Sequence, residues 1–183
     1  MNMNRKLIPS FGFLVLLIVL ALPAQTNGQA PERAVQRIQR EVMHEILMLP
    51  YFGVFDNISF KVEGYTVTLM GQVTRPTMKT DAGNAVKRIE GVEKVDNQIE
   101  VLPASPMDDQ LRLRLYRAIY GAPALERYAL PVNRPIRIIV KGGNVTLEGV
   151  VDSEMDKNLV NIRANGVSGV FSVTNHLRVE KSG

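Results

Sequence analysis

The chain has no cysteine. That excludes disulfides, thiolate metal ligands and thiol nucleophiles. It also removes the Cys that a bacterial lipid anchor would modify, so any membrane attachment is expected to be non-covalent. Histidine is nearly as scarce, with only His44 and His176. Zinc takes three or four protein ligands, and the two imidazoles lie on unrelated parts of the repeat described below. Both read as solvated surface residues. Asp152, Glu154 and Asp156 begin like a calcium loop, but Lys157 and the missing terminal Glu spoil the pattern. Ser59, Ser153, Ser168 and Ser172 have no partner base. The glycines form neither a phosphate loop nor a dinucleotide fingerprint. No catalytic group, cofactor, metal or small-molecule substrate is therefore expected. The 22 Lys and Arg against 18 Asp and Glu contain no long basic block, which argues against nucleic acid as a partner.

Long apolar runs are also missing. The longest, Phe11 to Leu22, falls short of the roughly 20 residues a spanning helix needs. It follows Arg5 and Lys6 and precedes Pro23-Ala24, the order of a secretory signal. Residues 1–30 are expected to form that signal, cleaved after Ala24 or near Gly28 to Ala30. The expected location is the periplasm, soluble or peripherally bound to a membrane.

What the sequence does contain is a repeat. Val67-Thr68-Leu69-Met70-Gly71-Gln72-Val73 returns as Val145-Thr146-Leu147-Glu148-Gly149-Val150-Val151. With a constant offset of 78 and no gap, 14 of the 44 positions from Ile58 to Val101 are identical. Composition alone would give far fewer, so the module is duplicated.

Both copies decode alike. Ile58, Phe60 and Val62 alternate, as do Ile136, Ile138 and Val140, which is the period of a half-buried strand. Gly64-Tyr65 and Gly142-Gly143-Asn144 suit a tight reversal into a second strand. Gly71 and Gly149 fall at the apolar parity of that strand, where close approach of a helix or a bulge would require them. A helix follows in each copy, carrying Met78, Ala82, Ala85, Val86 and Ile89 or Leu159, Val160, Ala164 and Val167, with Gly91 and Gly169 expected to end it. A last strand places Asn97 or Asn175 at core parity, where the amide is expected to bond a neighbouring loop or helix end. Upstream helices are expected from about Glu32 to Met48 and from about Asp108 to Tyr120.

The fold class is thus α+β: two tandem α-β-β-α-β modules, each a three-stranded sheet covered by two helices. The modules should span 31–102 and 108–180, joined by a linker at 103–107. The last strand either joins the hairpin in parallel or lies antiparallel to the first strand.

The phrases Gly64-Tyr65-Val67-Leu69-Gly71-Val73 and Gly91-Val92-Val95-Asn97, and their second-copy counterparts, resemble the BON domain of bacterial envelope proteins. A tandem pair behind a signal is similar to periplasmic members of that family. The resemblance implies a non-enzymatic module that supports envelope integrity by binding phospholipid or envelope proteins. A chaperone-like or scaffolding role toward outer-membrane protein clients is the alternative.

Candidate contact residues lie where the copies differ. Arg112, Arg114 and Arg117 accompany Tyr116 and Tyr120 on the second upstream helix, with Tyr128 beyond it. Basic groups beside aromatics suit anionic headgroups, although packing within or between modules explains much of the same pattern. Tyr51, Phe52 and Phe55, ahead of the first strand, are further candidates for a partner. Oligomerisation stays open.

Overall fold

The computed structural model describes residues 32–180; the export segment expected over 1–30 lies outside them. Two copies of one small module follow each other. The first comprises α1 (Glu32–Leu47), β1 (Asn57–Glu63), β2 (Thr66–Val73), α2 (Pro76–Lys87), β3 (Lys94–Asn97) and β4 (Glu100–Val101). The second comprises α3 (Pro106–Tyr120), a 3-10 turn (Pro123–Tyr128), β5 (Ile136–Lys141), β6 (Asn144–Val151), α4 (Glu154–Asn165), β7 (Ser172–Asn175) and β8 (Arg178–Val179).

In each copy the middle strand pairs antiparallel with the strand before it and parallel with the strand after α2 or α4. The sheet is therefore mixed, and the last strand joins the hairpin in parallel. It is also broken in two, as β3 and β4 or β7 and β8, which both lie along the middle strand. The amide common to both copies spans the break. Asn97 Nδ2 donates to Lys79 O at 2.7 Å and its Oδ1 accepts from Ile99 N at 3.3 Å; Asn175 does the same with Lys157 O and Leu177 N at 3.0 Å each. The sheet is thereby tied to the helix above it, and a half-buried polar side chain is satisfied.

Val67, Leu69 and Val73 of β2 are buried together with Ile38, Val42 and Ile46 of α1 and Met78, Ala82 and Val86 of α2. The second core sets Ile136, Ile138, Val140, Val145, Leu147 and Val151 against Leu111, Leu115, Ile119, Val160 and Ala164. Two helices on one face of a small sheet complete a two-layer packing.

Three details depart from the sequence reading. α2 and α4 end before Gly91 and Gly169, with Arg88 and Gly166 as their C-caps. The two glycines, at φ 86° and 93°, instead shape the turn into the last strand. At Gly71 and Gly149 the close neighbour is the preceding strand and not a helix: a Cβ would lie 2.1 Å from Asn57 O and 1.9 Å from Pro135 O. The third departure is the 3-10 turn, whose Leu125 and Tyr128 are buried in the second core.

The modules touch through the segment between α1 and β1. Ile138 N, on the outer edge of β5, donates to Val54 O at 2.7 Å. Phe55 meets Tyr116 of α3 edge to face, with centroids 6.3 Å apart. Arg137 covers the Phe52 ring at 4.5 Å and donates to Gly53 O at 2.9 Å. Lys141 and Glu100 add an exposed ion pair, which contributes little by itself. The loop's own shape is set by Asp56, buried and accepting from Gly53 N, Thr74 N and Thr74 Oγ1.

Candidate functional site

α3 carries most of the candidate residues. Its start is fixed by Ser105, whose side chain accepts from Asp108 N at 3.2 Å, and by Pro106 in the first turn. Asp108 is buried and accepts from Gly142 N and Gly143 N at 2.8 and 3.0 Å, locking the helix to the β5–β6 reversal. Leu111, Leu115 and Ile119 face the sheet.

The same rotation takes Arg112 off the surface. It is only 4% exposed, bonded through one terminal nitrogen to Asp109 at 2.5 Å and through the other to Val140 O at 2.7 Å. Its Nε has no partner among the described residues. Arg112 therefore clamps α3 to β5 and is removed from any headgroup-binding set.

Tyr120 and Tyr128 are internal as well. Tyr120 donates to Ile136 O at 2.6 Å, and burial pushes its phenol far above the ordinary range. Tyr128 donates to Asp156 at 2.9 Å, accepts from Asp152 N at 2.8 Å, and is raised chiefly by burial. Asp156, buried near the start of α4, also takes bonds from Arg127 and Ser153. This network holds the 3-10 turn against α4. Tyr116, Phe52 and Phe55 are half-buried in the contact between modules. Tyr51 stays outside, 75% exposed at φ 66°, with the Arg75 guanidinium 4.5 Å above its ring.

Arg114 and Arg117 remain. Three residues apart, they share the exposed side of α3. Neither has a carboxylate within ion-pair distance among the described residues, whereas Arg37, Arg112, Arg127 and Arg178 each do. Leu113 stands beside them, half exposed. At the N-terminal end of the helix a cleft of about 460 Å³ is lined by Met107, Leu111, Arg114, Gly143, Gly169 and Phe171. Met107 and Phe171 are among the most exposed apolar side chains of the molecule, at 80% and 86%. Sequence reasoning passed over both, although Phe171 stands where the first copy has Glu93, a charge-to-aromatic change that marks the site.

The histidines are exposed, His176 against Glu148 at 2.7 Å. No group of three or more His, Asp or Glu among the described residues is placed to hold a metal. No helix among them is long and apolar enough to cross a membrane.

The family model for the BON domain matches residues 34–103 and again 108–181. No curated protein matches the chain. Among solved structures it is similar to CdsD, a structural protein of the type III secretion system of Chlamydia trachomatis. That match has 13% identity over 80% of this chain and 93% of that one, at a TM-score of 0.29. A structure of the CdsD C-terminal domain gives 12% identity over 77% and 96%, at 0.28. Likenesses this loose carry no argument here. BON domains are non-catalytic modules, typically extracytoplasmic, with lipid-binding and adaptor roles. Matched in both copies and over most of its length, the chain belongs to the BON-domain family as a tandem pair.

Proposed function

We propose that this tandem protein is a non-enzymatic periplasmic adaptor supporting envelope integrity under stress, and that its second module contacts anionic phospholipid through α3. One observation carries the reading: Arg114 and Arg117 stand exposed, without carboxylate partners among the described residues, beside Leu113 and the Met107–Phe171 cleft. A guanidinium presents a planar fork that matches phosphate oxygens. Leu113, Met107 and Phe171 supply apolar area for the boundary below the headgroups, as on other interfacial helices. The first module differs here: at the offset of 77 that aligns the two upstream helices, Arg37 and Arg40 stand in the places of Arg114 and Arg117, but Arg37 is paired with Glu41 at 3.1 Å, and Gln36 and Glu93 replace Leu113 and Phe171. The two copies thus divide the work, the first serving as a docked support.

A photoreactive residue at position 113, half exposed and outside the core, tests this in intact cells. Crosslinking followed by lipid extraction and protein identification should give phospholipid adducts. Protein adducts alone would transfer the face to outer-membrane clients and replace the lipid role with a chaperone-like one.

A further inference from the structure

The contact between modules has two halves, and each half has an unused counterpart. The docking strand edge is β5, where Ile138 N points away from β6 and takes Val54 O. Its counterpart is β1. Phe60 pairs with Leu69 in the register in which Ile138 pairs with Leu147, so Phe60 N also points off the free edge. The groove beside it, about 620 Å³, is lined by Gln36, Gln39, Arg40, Met43 and Phe60. The upstream helices superpose at an offset of 77, which matches buried Ile38 and Val42 to buried Leu115 and Ile119. At that offset Gln39 and Met43 are the counterparts of Tyr116 and Tyr120. In the second module this groove is filled by Phe55 on Tyr116; in the first it is open.

The docking segment is duplicated too. Val54 lies four residues before Ile58, and Val132 lies four before Ile136. Val54 is 9% exposed in its interface, while Val132 is 96% exposed and its neighbour Leu130 78%. The partners across the contact change together: Phe55 and Tyr116 correspond to Asn133 and Gln39, an amide pair able to exchange hydrogen bonds.

We infer that the Leu130–Asn133 segment of one molecule docks on the β1 edge and α1 groove of a second copy of this chain, repeating between molecules the contact that joins the modules within one. Backbone pairing at a free strand edge supplies affinity and the α1 groove supplies selectivity. Because donor and acceptor lie on different modules, the contact is head to tail and leaves each end able to add another molecule.

Sedimentation velocity of the full protein from micromolar to millimolar concentration tests it. The parent should pass from monomer to dimer and larger species. Val132→Asp, in the donor segment, and Met43→Asp, on the exposed side of α1, should each stay monomeric with an unchanged circular dichroism spectrum. Mixed together, the two variants should form a dimer and nothing larger, since one keeps the acceptor and the other the donor. A parent that is monomeric throughout, a Val132→Asp protein that still assembles, or a mixture that stays monomeric would each overturn the inference. In the first case the groove would belong to some other extended segment.

Discussion

Replacing Gly149 with Ala should unfold the second module. Gly149 sits inside β6 at φ 115°, a backbone region that L side chains rarely adopt. Its missing Cβ would stand 1.9 Å from Pro135 O, well inside contact distance. The obstacle is main chain, held by the pairing of Ile136 with Gly149 in the hairpin, so no side chain can swing aside. Strain of this kind joins the large-effect class of substitutions, above about 4 kcal/mol. A small module without a disulfide has on the order of 5 kcal/mol to lose. Amide resonances of β5 to β8 should collapse to unfolded positions, and Gly71→Ala should do the same to β1 to β4, where the clash is with Asn57 O at 2.1 Å. A fall in Tm of only a few degrees in either variant would show that the hairpin can separate and that these glycines are not required.

Arg112→Ala should be the next most damaging change, at about 3 kcal/mol in urea unfolding, because it empties a buried site and strands Val140 O without its donor. Arg112→Met refills the site and should cost less, although Val140 O still lacks its donor. The carboxylate left behind, Asp109, is exposed and meets water, so no buried charge is stranded, and the position 77 residues earlier is filled by half-buried Val35. Vesicle binding should be unchanged in Arg112→Met. If that variant loses binding as Arg114→Gln does, Arg112 reaches the membrane and the clamp described above is wrong.

That distinction among three neighbouring arginines was available in the sequence and was missed. At 3.6 residues per turn, Arg112 points only about 20° from Ile119, whereas Arg117 lies nearly opposite the Leu111, Leu115 and Ile119 stripe. Reading the basic residues as one set ignored that angle. The strands were legible because valine, leucine and glycine recur at period two in both copies, and Asn97 and Asn175 stood out as polar groups at core parity. The contact between modules was not legible. It depends on Val54 O and Ile138 N, main-chain atoms that every residue carries, and on aromatic rings whose partners lie in the other repeat. The 3-10 turn was hidden for a related reason: Tyr128 and Asp156 are 28 residues apart, and their bond forms only when α4 returns to the turn.

The proposed lipid contact at α3 is tested most directly by flotation of the purified protein with phosphatidylglycerol vesicles and, separately, with zwitterionic phosphatidylcholine vesicles. Each basic residue at an anionic surface contributes about 1 kcal/mol. Arg114→Gln with Arg117→Gln should therefore weaken binding to the anionic vesicles roughly 30-fold. Added salt should weaken the parent in the same direction. Equal retention on both vesicle types, or a double variant that floats like its parent, would contradict a phospholipid contact through Arg114 and Arg117.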